Sequence, residues 1–493
     1  MKDKKILRET LRSKGQFWTP EWVADAMVSY IYTPSKDEVF DPGTGKGIFY
    51  TSLKKIDKTK KFYGTDIDEE IINKAKEEKI YDKNSKIEIR DFILNPPTKK
   101  FSAIVANPPY IRHHSLTSEQ KREFKSISLK AIGSTLDGRA GLHIYFLIQA
   151  LGLLEKGGRL AYIMPADTCE GVFAKKLWAW ITKEFCLEGV ITFDSKATPF
   201  PGVDTNAIIF LIKNDKPLLN IKWIKVLEES NSLFKYVKSG FTDKKPDLLV
   251  YDRDLGEALT TGLSRSQRKV NKSDFILSDF ATVMRGIATG SNEFFFLTSI
   301  QAEGLGIPDN FLISAVGRTR DTEGELLTHN SLDALERRGR PTRLFFPNGH
   351  LLEDMPMTVR KYIAEGEKQG LPQKALISTR SPWYKMEVRK IPSFFFAYLG
   401  RRNARFIKNE AGAVPLTGFL CIYPHSEEKE YIEKLWQVLQ DPDTVNNLKW
   451  VGKSYGGGAI KVEPRSLENL PINSGIVERA GLRPLKVKQL SLA

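Results

Sequence analysis

The sequence predicts an α/β domain with a mostly parallel sheet, followed by a domain of mixed α+β type. Over about the first 215 of the 493 residues, short apolar runs alternate with helical segments, and this alternation is typical of a parallel sheet covered on both faces. Beyond that point the chain becomes polar and charge-rich, and aromatic strands then follow in close order. The change of pattern and the chain length together indicate two domains.

The alternation gives the expected elements in chain order. Strands are expected at 37–41, 61–66, 86–90, 101–106, 158–164, 187–193 and 206–213. Helices are expected at 20–32, 47–56, 68–79, 142–155 and 171–184. Residues 111–140 are polar and basic, and so long a polar segment is expected to be a mobile loop.

The composition excludes several classes of protein. Hydrophobic residues make up 41% of the chain and charged residues 27%, as in soluble globular proteins. No run is long and apolar enough to span a bilayer, and the first residues lack the apolar core of a secretory signal. The three cysteines and six histidines show neither disulfide nor metal-site spacing, which suits a reducing cytoplasm and predicts no metal. The net charge of +15 is shared by the two parts of the chain, which favours a basic cleft between two domains over a single basic tail, with a generically basic protein as the alternative.

The tetrapeptide Asn107-Pro108-Pro109-Tyr110 follows the expected strand 101–106. It therefore lies at the carboxyl end of a strand, where open α/β sheets bind their ligands. The prolines stiffen the turn, because each fixes its own φ and biases the residue before it away from helix. The turn presents an amide, backbone carbonyls and an aromatic ring, which suit a planar group with an exocyclic amine. A strand-ending turn with a surface asparagine explains these four residues equally well when they are taken alone.

A glycine-rich turn follows the first expected strand. Asp41 and Pro42 precede three glycines at alternate positions, Gly43, Gly45 and Gly47. Glycine lets backbone N–H groups approach a ligand closely and adopts positive φ at little cost. The turn is not a phosphate-binding P-loop, because its lysine is followed by glycine where that motif has Ser or Thr.

Carboxylates end the next two expected strands. Asp66 comes about 20 residues after the glycines, where a carboxylate can accept both hydroxyls of a ribose. Asp91 is followed by Phe92, so that one residue can accept from an adenine amine while the other packs on the ring. Each residue alone is more often a helix cap or a turn residue. Three strand ends with compatible chemistry along one βαβ series favour a nucleoside-binding site.

These segments resemble a known family. In order, the chain carries GQFWTP at 15–20, DPGTGKG at 41–47, GTDID at 64–68, RDF at 90–92 and NPPY at 107–110. This order is similar to that of the adenine-N6 DNA methyltransferases of type II restriction–modification systems, and in particular of their γ group (TaqI-type). The resemblance covers about the first 215 residues. NPPY also occurs in RNA guanine-N2 and protein glutamine methyltransferases.

The resemblance implies a Rossmann-like, class I S-adenosylmethionine-dependent methyltransferase domain with S-adenosylmethionine as its cofactor. The implied cofactor-binding residues are Thr19, Pro20, Asp41, Pro42, Gly43, Gly45, Gly47, Asp66, Asp91 and Phe92. The implied residues at the target amine and base are Asn107, Pro108, Pro109, Tyr110 and Phe200. Asn107 and the Pro108 carbonyl would accept from the amine, and Tyr110 and Phe200 would enclose the base.

The second part of the chain resembles the DNA-recognition domain of the same family. Segments 277–297, 401–406 and 453–465 combine cations, glycines and aromatic residues and are expected to contact DNA. The expected organisation is a catalytic domain at 1–235, a connector at 236–275, a DNA target-recognition domain at 276–475 and a tail at 476–493. The loop at 111–140 is expected to order on DNA.

The implied function is site-specific methylation of the exocyclic amine of adenine, after the base has flipped out of duplex DNA. Double-stranded DNA is the expected partner of a cytoplasmic monomer, and a cognate restriction endonuclease acting separately is left open. Methylation of RNA guanine-N2 or of protein glutamine is the alternative with the same NPPY turn. A non-catalytic DNA-binding protein with a decayed cofactor fold is a third possibility, and calorimetry of cofactor binding distinguishes it.

Overall fold

The computed structural model describes residues 17–35, 38–111, 113–136, 139–169, 172–194, 196–201, 206–265, 275–397, 404–454 and 460–485. The chain divides into two compact units, one of Met1–Arg268 with Tyr455–Gly457 and the other of Lys269–Ser454 with Gly458–Ala493. Parts of the expected motifs lie outside the described residues, namely 15–16, 202–205, 401–403 and 455–459. Within the described residues, no helix has the length and apolar character needed to cross a membrane.

One mixed sheet organises the first unit. Its described strands are β1 (Glu38–Asp41), β2 (Lys61–Asp66), β3 (Ser85–Ile89), β4 (Phe101–Ala106), β5 (Leu154–Pro165), β6 (Cys186–Phe193), β7 (Ala207–Lys213), β8 (Asn220–Val226) and β9 (Leu248–Asp254). They pair in the order β3-β2-β1-β4-β5-β7-β6-β8-β9. The first five strands are parallel, and β7 runs antiparallel to both of its neighbours. The strand order reverses between β1 and β4, so the carboxyl ends of these two strands open a crevice.

Helices cover both faces of this sheet. They are α1 (Glu21–Ile31), α2 (Ile48–Ile56), α3 (Glu69–Glu77), α4 (Ser118–Ile132), α5 (Leu142–Gly152), α6 (Val172–Glu184), α7 (Ser232–Lys238) and α8 (Leu255–Thr261). Neighbouring strand residues point to opposite faces, so Val39 packs in the core under α1, α2 and α7, whereas Phe40 packs in the core under α5 and α6. All the expected strands and helices of this part are present, with ends shifted by no more than four residues. The predicted α/β class is thus confirmed.

The prediction of a loop at 111–140 is wrong for its central part, which forms α4. Thr117 and Gln120 cap this helix reciprocally, with hydrogen bonds of 3.1 and 3.0 Å between each side chain and the backbone N–H of the other. Phe124 and Ser128 are its buried residues. So narrow an apolar stripe does not reveal a helix in the sequence.

The prediction of a connector at 236–275 is wrong in part, because β9 and α8 belong to the sheet unit. The charges of this segment indicated solvated chain. Arg253 is nevertheless fully buried, and its guanidinium donates to the Glu257 carboxylate, the Thr261 hydroxyl and two backbone carbonyls. The hydrogen bonds and the ion pair of Arg253 offset the free-energy cost of burying its charge. Composition alone cannot show such contacts.

The second unit is built from smaller sheets and helices. Its strands are β10 (Phe275–Ile276), β11 (Ala281–Arg285), β12 (Phe296–Leu297), β13 (Leu312–Val316), β14 (Leu326–Leu327), β15 (Arg343–Phe345), β16 (Phe394–Ala397), β17 (Arg405–Asn409), β18 (Val414–Pro415), β19 (Phe419–Pro424), β20 (Lys453–Ser454), β21 (Ile460–Lys461) and β22 (Pro471–Ile472). Its helices are α9 (Asn292–Phe295), α10 (Ser299–Gly304), α11 (His329–Arg337), α12 (Met357–Lys368), α13 (Lys429–Gln440), α14 (Pro442–Asn446), α15 (Pro464–Glu468) and α16 (Ser474–Ala480). Among the described strands of this second unit, the largest sheet has the order β11-β19-β16-β17-β14. This unit is mixed α+β, as the sequence predicts.

The tail expected at 476–493 begins inside α16. Ile476 and Val477 of this helix are buried in the core that β11, β16 and β19 share. Two apolar residues in a short segment do not distinguish a docked helix from a loose end in the sequence. Residues 486–493 lie outside the described part of the chain.

Candidate active site

The glycine turn joins β1 to α2. Asp41 is fully buried, and its Oδ1 accepts the N–H of Gly43 at 3.2 Å. Burial raises the pKa of Asp41 well above its usual value. Gly45 and Gly47 have φ of +49° and +79°, in the left-handed region that strains other residues, and a Cβ on Gly47 would lie 2.9 Å from Tyr81 Oη. Glycine is therefore required here for the turn itself.

Asp66 connects the end of β2 to this turn. Its Oδ2 accepts the N–H of Gly45 at 2.8 Å, and its Oδ1 accepts the N–H of Asp68 at 3.0 Å. Burial raises the pKa of Asp66 above its usual value. The neighbouring Ile67 is 69% exposed and lines a cavity beside the glycine turn. A carboxylate beside an exposed apolar side chain suits a ribose that carries a base.

Asp91 and Phe92 follow β3 and enter the same cavity. Asp91 Oδ1 accepts the N–H of Ile93 at 2.9 Å, which fixes the turn. Phe92 is 2% exposed, and its ring centroid lies 5.2 Å from that of Phe146 on α5. The aromatic wall is thus held rigidly by the core behind it.

These turns surround one cavity of about 830 Å³, a size typical of small-molecule and cofactor sites. The expected site residues that line it are Thr19, Pro42, Gly43, Gly45, Asp66, Asp91, Phe92, Asn107, Pro108 and Pro109. The expected residues that do not line it are Pro20, Asp41, Gly47, Tyr110 and Phe200. The structure therefore brings ten of the fifteen expected residues around one space, and the other five do not line it.

Asn107 has the most informative environment in the cavity. Its Nδ2 donates to the backbone carbonyl of Phe17 at 2.6 Å and to Thr19 Oγ1 at 2.9 Å. The Phe17 carbonyl can only accept, so this contact fixes which way the amide points. Asn107 Oδ1 is buried and has no hydrogen-bond partner among the described residues. A buried acceptor without a partner costs roughly 1–3 kcal/mol, and a ligand donor would relieve that cost.

Tyr110 and Phe200 lie together behind Phe17. Their ring centroids are 6.2 Å apart and meet edge to face at 80°. The ring of Phe17 lies 5.2 Å from that of Tyr110 and 5.8 Å from that of Phe200. The Tyr110 hydroxyl is buried and has no hydrogen-bond partner in the described part of the chain, and burial raises the pKa of Tyr110 well above its usual value.

Some residues near the site were not expected from the sequence. Lys46 Nζ lies 4.8 Å from the ring of Trp18, in a cation–π contact at the cavity wall. His143 on α5 is buried, and its ring meets that of Tyr110 edge to face at 5.9 Å. Burial lowers the pKa of His143 to about 4, so this imidazole is neutral at neutral pH. The aromatic pair before Thr19 was the available signal for Phe17 and Trp18, whereas nothing in the sequence relates His143 to Tyr110.

The residues of the cavity fit S-adenosylmethionine. Asp66 supplies acceptors suited to ribose hydroxyls, while Ile67 and Phe92 supply apolar surfaces suited to adenine. The carboxylates at the cavity wall also suit a cationic ligand. Gly43 and Gly45 line the cavity without a side chain, so that backbone can approach the ligand at these two positions.

Comparison with known proteins places both units in one family. A family model described as Eco57I restriction-modification methylase matches residues 35–200, and one described as the C-terminal domain of type II methyltransferase M.Eco57I matches residues 258–490. Type II methyltransferase M.AccI of Acinetobacter calcoaceticus is 25% identical over 489 residues, which cover 97% of this chain and 88% of that protein. M.XamI of Xanthomonas campestris pv. amaranthicola is 22% identical over 469 residues, which cover 93% and 85%.

A solved structure supports the fold. The type IIL restriction-modification enzyme MmeI, in complex with DNA, aligns with a TM-score of 0.52 at 12% identity and covers 98% of this chain and 74% of its own. Family models that match both units, relatives similar along nearly the whole chain and a cavity that fits the cofactor agree with one another. The chain belongs to the DNA methyltransferases of type II restriction–modification systems and uses S-adenosylmethionine as its cofactor.

Proposed function

We propose that this methyltransferase modifies the exocyclic N6 amine of adenine, at a specific site in double-stranded DNA, as the modification enzyme of a restriction–modification system. The observation that carries the proposal is the buried Oδ1 of Asn107, an acceptor without a partner among the described residues at the wall of the cofactor cavity. An exocyclic amine can donate the hydrogen bond that this oxygen does not receive from the described residues.

The hydrogen bonds of Asn107 prepare it for this role. Because Nδ2 is held by the Phe17 carbonyl and Thr19 Oγ1, the amide cannot rotate without losing two hydrogen bonds. Oδ1 therefore stays aimed away from those partners before any substrate arrives. Such preorganisation means that little reorganisation is needed during the reaction.

A second acceptor makes the amine reactive. The lone pair of an adenine amine is delocalised into the ring, so the amine is a poor nucleophile in its planar form. Asn107 Oδ1 and the Pro108 carbonyl can each accept one amine hydrogen, which draws both hydrogens out of the best plane for conjugation. Pro109 keeps this turn stiff and adds no competing N–H. S-adenosylmethionine, when bound, supplies an activated methyl group, so the protein needs no strong base.

The target base must leave the duplex to reach this site. Asn107 lies at the wall of a cavity bounded by loops of the sheet, and a base stacked within a duplex cannot reach such a position. Tyr110 and Phe200 lie beside Phe17 and supply the aromatic surface against which an extruded base can stack. Stacking of this kind offsets part of the cost of extrusion, at about 1–3 kcal/mol per base.

The test is mass spectrometry of nucleosides from DNA that the purified protein has methylated with labelled cofactor. The proposal expects N6-methyladenine, and detection of N4-methylcytosine in its place would refute the choice of base. RNA and protein are offered in parallel, because label in guanine-N2 or glutamine would favour the alternative with the same turn. Sequencing of DNA from cells that express the protein, with detection of modified adenines, then gives the target site.

Asn107→Ala tests the role of the amide. It should reduce methyl transfer by at least 100-fold and leave cofactor affinity within a few-fold, since the lost acceptor serves the amine. Asn214→Ala is the matched control, because Asn214 Nδ2 donates to the Leu154 carbonyl at 2.9 Å and does not line the cavity. Equal turnover of the two variants would exclude the proposed role.

The two units have separate tasks in this proposal. The first unit carries out methyl transfer, and the second, roughly residues 276–475, selects the DNA sequence. The guanidinium of Arg405 already donates to the carbonyls of Thr322 and Gly324, which fixes its orientation. We also propose that the enzyme acts in the cytoplasm as a monomer, which light scattering with and without duplex DNA can test.

A further inference from the structure

The proposed target-base site has no room for a base in this structure. A base stacked between two rings needs about 7 Å between their planes, since each carbon–carbon contact takes about 3.5 Å. The centroids of Tyr110 and Phe17 are only 5.2 Å apart, and those of Tyr110 and Phe200 are 6.2 Å apart with the rings edge to face. Phe17 lies against both other rings, so the three side chains form one closely packed cluster.

Phe17 also lines the cofactor cavity, which Tyr110 and Phe200 do not. The cavity is lined by Phe17, Asn107, Pro108 and Pro109, but not by Tyr110, which is partly buried and has a buried hydroxyl. Phe17 is itself only partly buried and stands at the wall of that large cavity. Phe17 therefore contacts both the cavity and the two aromatic rings.

The backbone carbonyl of Phe17 is held by a hydrogen bond, and its ring is held by aromatic packing. Its carbonyl accepts the hydrogen bond from Asn107 Nδ2 at 2.6 Å, and two residues later Thr19 accepts from the same nitrogen. Rotation about the side-chain bonds of Phe17 can move the ring between staggered positions without breaking these contacts. The orientation of Asn107 can thus be preserved while the aromatic space opens.

We propose that Phe17 is a further residue of the target-base site. Its ring takes the place of the base in the free protein and moves aside when the extrahelical base enters. This inference rests on the proposed function. Phe17 and the base compete directly for contact with Tyr110 and Phe200. Phe17 must give up its ring contacts with these two residues before the base can stack on them. Each such contact is worth about two- to tenfold in an equilibrium.

The experiment is a size series at position 17, with Phe17→Ala, Phe17→Leu and Phe17→Trp beside the wild type. Base capture is followed by stopped-flow fluorescence of 2-aminopurine at the target position, in a duplex that carries the sequence found by the sequencing experiment. Permanganate oxidation of the thymine opposite the target measures the same event. It does not depend on the fluorescence of 2-aminopurine, which a neighbouring aromatic ring can quench. Folding is checked by circular dichroism and cofactor affinity by calorimetry.

The competition predicts that capture becomes more favourable as the side chain shrinks, in the order Ala, Leu, Phe, Trp. Phe17→Ala should capture the base about two- to tenfold more readily than the wild type for each ring contact it relieves. Trp22→Leu is the control, because Trp22 meets Phe193 edge to face at 5.8 Å and does not line the cavity. Its capture should equal that of the wild type.

Two results would overturn the inference. The reverse order, with Ala weakest, would make Phe17 a permanent stacking wall and not a competitor. A series without any trend would exclude contact of Phe17 with the base. Tyr110→Ala separates this failure from failure of the proposed function: if it alters capture while the series is flat, the base site stands without Phe17, and if both are flat, the base site itself is wrong.

Discussion

At the scale of single residues, the site contains two kinds of polar atom. One is a buried acceptor without a hydrogen-bond partner among the described residues, and the other is a carboxylate oxygen that backbone N–H groups hold in place. Asn107 presents a buried oxygen without a partner among the described residues, whereas both oxygens of Asp66, which also lines the cavity, accept backbone N–H groups. The sequence reveals such residues as types at strand ends. The hydrogen-bond partners of Asn107 are Phe17 and Thr19, about 90 residues away in the chain, and so only the structure gives the orientation of the amide.

Asp66→Asn should weaken cofactor binding about 10- to 100-fold, because a hydrogen bond to a charged group contributes roughly 1.5–3 kcal/mol. Titration calorimetry with S-adenosylmethionine measures the change. Asp57→Asn is the control, since Asp57 caps a turn through Thr59 and does not line the cavity. Unchanged affinity in Asp66→Asn would contradict the assignment of this carboxylate to the cofactor.

His143 should make stability fall in mildly acidic solution. Burial lowers its pKa to about 4 in the folded protein, against about 6.5 when unfolded, so the unfolded chain binds the proton more readily. The free energy of unfolding is therefore unaffected above about pH 6.5 and decreases as the pH falls towards 4, by about 3 kcal/mol in total. Urea denaturation of the wild type and of His143→Gln across this range isolates the effect. A difference between them that does not change with pH would argue against it.

At the scale of elements, periodicity and turn chemistry predict the regular βαβ part because each strand there is apolar and each turn carries its own signal. They miss α4 because only Phe124 and Ser128 of that helix are buried, and they miss β9 because its buried cation is paired by residues further along the chain. In both cases the stabilising contacts are tertiary, so no local pattern reports them.

The glycine turn offers a test with an internal control. Gly47→Ala should lower the free energy of unfolding by about 1–3 kcal/mol, since φ is +79° and the new Cβ would lie 2.9 Å from both Tyr81 Oη and an Ile80 methyl carbon. Gly152→Ala, at the end of α5, should raise it by about 0.4–1 kcal/mol, because nothing lies within 4 Å of that Cβ. Both values come from urea denaturation. Equal effects of the two substitutions would show that backbone conformation does not determine the need for glycine at 47.

At the scale of the whole molecule, the net charge of +15 gives the protein an attraction for DNA that is independent of sequence. The positive charge is spread along the chain, with 35 basic and 28 acidic residues in 1–220 and 40 and 32 in the rest. Composition therefore indicates the kind of partner. It does not indicate which cations touch DNA, as Arg405 shows, because its guanidinium is engaged with backbone carbonyls.

DNA affinity should consequently fall steeply with salt. If about six phosphates are neutralised, the association constant decreases by about 10³-fold between 50 and 200 mM salt. Fluorescence anisotropy of a labelled duplex measures this dependence, and calorimetry of the cofactor serves as the reference, since its binding should change far less. A DNA affinity that is insensitive to salt would contradict a phosphate-based interface.

The most direct measurement is a structure of the protein bound to duplex DNA that contains its target site, with a cofactor analogue present. We expect an adenine outside the helix, with its N6 atom about 2.7–3.2 Å from Asn107 Oδ1 and within hydrogen-bond distance of the Pro108 carbonyl. A target base that stays paired in the duplex, or an amine that binds elsewhere while Asn107 Oδ1 remains without a partner, would contradict it.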